Sequence, residues 1–409
     1  MSAQAWTEKP LAELLTSPVS YGIVQPGSEV ADGVPIVRVT DIRNNRISPD
    51  SPLRVAPEIA AKHKRTLLEG GELLYSVVGA LGECAVVPEE LRGWNVARAV
   101  SVLRVDPKVG APWVMYSLQT PWIKDLIESW ANTTVQKTLN LRDLAKVPIA
   151  LPTEEEREDI LNLLGALDDK IELNRRMNAT LEAMAQAVFK EWFVDGAKEE
   201  WEENSLSSLF TISKASVNPG ASPETVFDHY SIPAFDDGRL PKQELGDAIK
   251  SNKFTVPDGC ILISKLNPRF PRVWLPVLDG DRQAITSTEF IVCILKSKEL
   301  REFVYGLFTS HGFASEFNNM ATGSTGSHQR VRPESMLKMA TLIADRSTIK
   351  AYSTLVRPML ERISANITES RTLAALRDTL LPKLMRGEVK VKGPSQESLL
   401  STNIGLQKM

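Results

Sequence analysis

Cysteine is scarce in this 409-residue chain: Cys84, Cys260 and Cys293 lie far apart and in no metal-ligand spacing. An odd, sparse set argues against a disulfide framework or a zinc site. It fits a reducing cytoplasm and reads most simply as three small buried apolar side chains. Histidine is nearly as rare: His63, His229, His311 and His328 stand in no HExxH pattern and beside no Ser or Cys nucleophile motif. A Walker A loop is missing, and so is a GxGxxG after a strand; Gly79-Ala80-Leu81-Gly82 is too short and too apolar for a dinucleotide site. Asn218-Pro219 and Asn267-Pro268 lack the second proline and the aromatic that an amino-methyltransferase motif needs. No apolar run reaches the roughly 18 residues of a membrane span, and no secretory leader opens the chain. The acidic pairs Asp168-Asp169 and Asp236-Asp237 read as solvated helix and turn residues. These absences point to a non-catalytic protein that binds no cofactor or metal of its own.

What is present is a heptad seam. Ile160, Leu164, Leu167, Ile171, Asn174, Asn178, Leu181, Ala185, Val188 and Trp192 recur alternately four and three apart, the spacing of one face of a long helix. At about 1.5 Å per residue the stretch Ile160–Phe193 spans roughly 50 Å. Two Asn in mid-seam cost stability but fix register and partner. Adding 192 to each position gives Tyr352, Val356, Met359, Ile363, Asn366, Ser370, Leu373, Arg377, Leu380 and Leu384. Apolar falls on apolar, and Asn174 and Asn178 fall on Asn366 and Ser370. With Leu181 and Leu373, these are the expected helix-pairing residues.

The repeat extends through most of the chain. Trp6, Leu11 and Leu14 correspond to Trp201, Leu206 and Leu209; Gly71–Ser76 corresponds to Gly259–Ser264; Tyr116 and Leu118 correspond to Tyr305 and Leu307. The fold class expected is α+β: two pseudo-repeated mixed α/β domains separated by two long antiparallel coiled-coil-like helices. The boundaries are 1–152 for the first domain, 153–197 for the central helix, 198–345 for the second domain, 346–390 for the C-terminal helix and 391–409 for a loose tail.

Locally, apolar runs bounded by Gly, Pro and Asn predict strands over Val34–Val39, Glu72–Val78, Ala85–Val87 and Val100–Val105. A helix over Pro112–Trp130, a short one over Leu141–Lys146 and a strand over Val147–Leu151 follow. Thr153 caps the long helix, with Glu156 at the capping-box spacing. In the second half, strands are expected over His229–Ala234, Cys260–Ser264, Val273–Pro276 and Phe290–Leu295, and a helix near Ser297–Asn318. Pro358 and Pro382 should kink or trim the last helix, Ser347–Lys383.

The net charge of −3 hides a split. Residues 153–203 carry 6 basic and 15 acidic groups, whereas 346–409 carry 11 basic and 5 acidic; 1–152 and 204–345 balance at 16 and 16, and 15 and 15. Opposite fields favour pairing of the two helical segments with each other. Two solvated faces would give the same counts.

Three polar clusters are candidate DNA contacts. Thr133, Thr134, Gln136 and Lys137 match Ser324, Thr325, Ser327, His328, Gln329 and Arg330. Small hydroxyl residues and Gly let a backbone approach phosphate, and Gln, Lys and Arg donate to phosphates or base edges. The turn after Ser76 matches the loop carrying Lys265, Asn267, Arg269 and Arg272. The third cluster is Arg38, Arg43, Asn44, Asn45 and Arg46, with Lys62, Lys64 and Arg65. A domain of zero net charge can bind nucleic acid if its charges segregate to one face.

The segment Leu167–Asp195 resembles the central helical region of the specificity subunit of type I restriction-modification enzymes. Thr372–Glu388 resembles that family's C-terminal helical region, and Gly323–Arg330 the loop preceding it. The resemblance implies two target recognition domains, each reading half of a split double-stranded DNA site. It implies two modification subunits and restriction subunits as partners, which bring S-adenosylmethionine, ATP and Mg. A rod of about 50 Å corresponds to about 15 base pairs, so the two half-sites are separate. The off-seam Leu173, Met184 and Phe189 are expected either to dock the modification subunits or to pack in the core. The alternatives to this reading are the specificity subunit of a related fused restriction system and a two-headed coiled-coil protein-binding adaptor.

Overall fold

The computed structural model describes residues 6–48, 51–133, 137–278, 280–322 and 329–391. Contacts divide the chain into two units: Met1–Asp169 with Leu373–Met409, and Lys170–Thr372. Each of the two long helices, Glu154–Lys190 and Arg346–Leu384, contributes one part to each unit.

In the first unit a four-stranded sheet runs in the order Ser20–Tyr21, Val100–Leu103, Leu73–Ser76, Cys84–Val86. Its two inner strands are wholly buried, and the polar Ser101 within them donates to the Tyr75 carbonyl at 2.9 Å. A second sheet places Val34–Val37 between Leu53–Val55 and Asn95–Val96. Thr7–Pro10 pairs with Pro148–Leu151, which leads into the first long helix. There Thr153 accepts from the Glu156 N–H at 3.3 Å, the expected cap. Ile160 and Leu164 pack in one core with Leu381, Leu384 and Trp113. The helix expected over Pro112–Trp130 is two helices, Ala111–Leu118 and Pro121–Trp130. Pro121 offers no N–H, and its ring holds Thr120 in an extended conformation (ψ 144°), which breaks the helix.

In the second unit a four-stranded sheet runs Phe210–Ser213, Phe290–Leu295, Ile261–Ser264, Val273–Trp274. A five-stranded sheet is larger than its counterpart in the first unit, and in it Val226–Tyr230 runs parallel to Gln283–Thr286. The strand expected over His229–Ala234 ends at Tyr230. Ser231 accepts from the Ala234 N–H, and with Pro233 in the first turn it starts the helix Ile232–Asp236 instead. The helix expected near Ser297–Asn318 is likewise broken, into Arg301–Thr309 and His311–Asn319, where Ser310 ends one and caps the next.

The long helices carry a buried polar layer, and they depart from expectation elsewhere. Asn174 and Asn366 are both fully buried. The Asn174 amide donates to Ser370 Oγ at 3.2 Å and Glu369 Oε2 at 2.9 Å, and the Asn366 amide donates to Asn178 Oδ1 at 2.8 Å. The second helix continues through Pro358 and Pro382 to Leu384, so neither proline trims it. Pro358 and Thr354, whose carbonyl loses its donor, are both exposed, so water can take that bond. At the end of the first helix burial falls on Ala185, Phe189 and Phe193 rather than on Val188 and Trp192. The last turn, Glu191–Asp195, is π-helical and packs into a globular core, closed by the Gly196 N–H to the Glu191 carbonyl at 2.9 Å.

Phe189 therefore belongs to the core, 3% exposed, the second of the two alternatives open to it. Its ring lies 5.1 Å from Phe193 and 5.9 Å from both Phe303 and Tyr352. Gly306 makes room for it: a Cβ there would sit 2.5 Å from Phe189 Cδ2 and 2.6 Å from Tyr352 Oη. Gly306→Ala is expected to destabilise the protein by ~1–3 kcal/mol through overpacking, despite the better helix propensity of Ala. Thermal melting checks this; an unchanged or higher Tm would mean that the aromatic cluster can yield.

Candidate nucleic-acid interface

In each unit the structure brings two of the three polar clusters together. In the first, Val78 bridges Thr138, and the Gly79 N–H donates to the Lys137 carbonyl at 3.0 Å. In the second, Leu266 bridges Arg330, and the Asn267 N–H donates to the Gln329 carbonyl at 2.9 Å. The loop leaving a central sheet strand is thus laced by its backbone to the loop preceding a short terminal helix. The loops lie about 60 residues apart in each unit, so no local signal brings them together, although closing such a span has only a modest entropic cost.

Several of the candidate cations already face carboxylates. Lys137 Nζ lies 2.9 Å from Glu128, Arg272 donates both its Nε and Nη2 to Asp236 at 2.8 and 2.9 Å, and Arg330 pairs with Glu289 at 3.0 Å. Arg269 is exposed, and Lys265 is half-buried. Thr134, Gln136, Ser324, Thr325, Ser327 and His328 lie outside the described residues; of Thr133 only the backbone strand is described.

The third cluster is built on a hairpin, Ile42–Arg43 with Arg46–Ile47. Asn44 and Asn45 turn it at φ 50° and 64°, the left-handed region that Asn tolerates better than most residues. Arg43, Asn44, Lys62, Lys64 and Arg65 are exposed. Arg38 is held by Asp41, through Nε at 3.2 Å and Nη2 at 3.0 Å, and this hydrogen bonding raises its pKa further. Asn45 is turned inward: its amide donates to Asp168 Oδ2 at 2.9 Å, and its carbonyl accepts from Gln119 at 2.6 Å. In this structure the Asn45 side chain thus fastens the hairpin to the first long helix.

Asp168 also departs from expectation. It is not solvated but 8% exposed, and it accepts from Tyr116 Oη at 2.7 Å and from Arg377 Nη1 at 2.7 Å. Beside it Asp169 pairs with Arg46 at 2.6 Å. Burial, then the Asp168 charge, pushes the Tyr116 phenol above its ordinary range, so it stays a donor. Burial works against the Arg377 charge, but Asp168 more than compensates and its pKa is raised. In the second unit Glu182 of the first long helix pairs with Arg239, which fastens another loop to the same helix.

Burial pushes the Cys84 and Cys260 thiols up to about 12 and Cys293 well above its ordinary value, so all three are inert. Among the described residues no cluster of His, Cys, Asp or Glu is placed to hold a metal, and no helix is long and apolar enough to cross a membrane.

Residues 6–183 match the family model of the type I restriction modification DNA specificity domain. Over that stretch the chain is similar to the type I restriction-modification DNA specificity family. It is 29% identical over 226 residues to the EcoBI specificity subunit of Escherichia coli, an alignment covering 51% of this chain and 48% of that protein. It is 22% identical over 436 residues to the HindI specificity subunit of Haemophilus influenzae, covering 87% of this chain and 94% of that one. The crystal structure of the type I S subunit from M. genitalium shares the fold, with a TM-score of 0.54 at 14% identity over 94% of this chain and 97% of the other.

Proposed function

We propose that the chain is the DNA sequence-recognition subunit of a type I restriction-modification complex, reading a bipartite, asymmetric target and directing methylation or cleavage by partner subunits. The carrying observation is the loop pairing: Gly79 to Lys137 in one unit and Asn267 to Gln329 in the other. The recurring order of the four-stranded sheets supports two copies of one fold, with target recognition domains at 1–152 and 198–345. The Asn174, Asn178, Asn366 and Ser370 layer supports a paired, coiled-coil-like spacer formed by 153–197 and 346–390. The two units differ in their loops, so their half-sites differ. Two modification subunits and restriction subunits would supply S-adenosylmethionine, ATP and Mg. Leu173 and Met184, 49% and 47% exposed, are the remaining candidates for docking them.

The assembled complex is expected to bind target duplex with an affinity that falls steeply as salt rises. Replacing Lys265 and Arg269 by Gln should reduce the slope of log affinity against log salt by about 1.8, at about 0.9 per phosphate contact. Salt-insensitive binding would contradict the DNA reading and favour a protein-binding adaptor.

A further inference from the structure

Phe270 is 53% exposed, and it is the only phenylalanine among the large hydrophobic side chains exposed in the described residues. It stands on the loop Lys265–Arg272, laced to Gln329 and Arg330. A singly exposed aromatic is ordinary in itself; what sets this one apart is its backbone and the cations around it. The loop holds it firmly. Asn267 adopts φ 48°, the Phe270 N–H donates to the Asn267 carbonyl at 3.0 Å, and Pro268 and Pro271 restrict the backbone on either side. Two guanidinium groups lie over the ring, Arg269 at 4.8 Å and Arg272 at 5.9 Å from its centroid. Arg272 is anchored by Asp236, so the ring is propped from below while Arg269 remains exposed.

From this arrangement we infer that Phe270 is an aromatic wedge that enters between two bases of the half-site read by the second unit, with Arg269 on the flanking phosphate. The inference rests on the DNA-recognition reading above. An apolar side chain presented rigidly between cations suits partial unstacking of a base step, because the cations hold the backbone while the ring replaces the lost stacking. The corresponding turn of the first unit, Gly79-Ala80-Leu81-Gly82, carries neither aromatic nor cation. Distortion is therefore confined to one half-site.

The test uses the complete complex with its modification subunits and duplexes carrying its methylation motif, with 2-aminopurine placed at each position in turn. One step within one half-site should brighten on binding. Phe270→Ala should abolish that signal and weaken binding by about tenfold or more, while Phe270→Trp keeps both. A signal at the methylated base, which methyltransferases extrude, should persist in both variants. Wild-type binding with no Phe270-dependent signal overturns the wedge and leaves DNA recognition standing. Loss of subunit assembly in Phe270→Ala, with DNA signals unchanged in whatever complex forms, overturns it in favour of a protein contact. Failure of the wild-type complex to bind the motif overturns both.

Discussion

Asp168→Ala is expected to cost ~3–5 kcal/mol of stability, the penalty typical of breaking a buried ion pair on one side. The carboxylate is 8% exposed and serves three donors at once: Tyr116 Oη, the Asn45 amide and Arg377 Nη1. Removing it strands a phenol that burial keeps protonated and a guanidinium whose side chain is only 16% exposed. Asp378 still pairs with Arg377 at 2.8 Å, which places the loss toward the lower end of that range. Asp168→Ala with Arg377→Ala should lose less than the sum of the two single changes, with a coupling of ~0.5–3 kcal/mol, because the double variant leaves no orphaned charge. Chemical denaturation of the four proteins measures this. Wild-type stability in Asp168→Ala would return Asp168 to the solvated helix surface.

Phe189→Ala is expected to cost ~3–5 kcal/mol through lost burial and the cavity left behind. The ring is 3% exposed among Phe193, Phe303, Tyr352 and the bare backbone of Gly306, and these rings are too mutually constrained to collapse into the space. Phe189→Leu should lose less, and Phe189→Leu combined with Gly306→Ala less than the two single costs added, since a smaller side chain at 189 relieves the contact that a Cβ at 306 creates. If Phe189→Ala instead melts like wild type but fails to assemble with modification subunits, the residue faces a partner and not this core.

The long helices and the central strands could be read from the sequence because their signals are local. A 4–3 spacing with Asn in the seam predicts a buried polar layer, and Asn174 and Asn366 are fully buried as that requires. The unbroken run Phe290–Leu295, short and bounded by turn residues, reads as a buried strand, and it begins and ends as expected. The errors fall where a short-range signal competed with the pattern. Thr120-Pro121 and Ser231-Ile232-Pro233 carry the break and the cap that override the apolar runs around them. The fastening of hairpin to helix was hidden for another reason. Asp168 meets Asn45, Tyr116 and Arg377 across 123, 52 and 209 residues, and nothing within a charged stretch distinguishes a paired carboxylate from a solvated one. One signal was available: Arg377 occupies a seam position whose counterpart is Ala185, and a cation on a buried face needs an anion opposite. Among the candidate loops, sequence showed the residue types and their duplicated placement, whereas the pairing of the loops and the carboxylates that occupy Lys137, Arg272 and Arg330 required the fold.

Genome-wide methylation mapping, in a host with an active modification partner and with or without this gene, tests DNA recognition most directly. A two-part asymmetric motif with a fixed unspecified gap should lose its methylation on deletion and regain it on complementation. Identical methylation in both strains, with the partner active on another specificity chain, would contradict the assignment of this chain as the reader of the target.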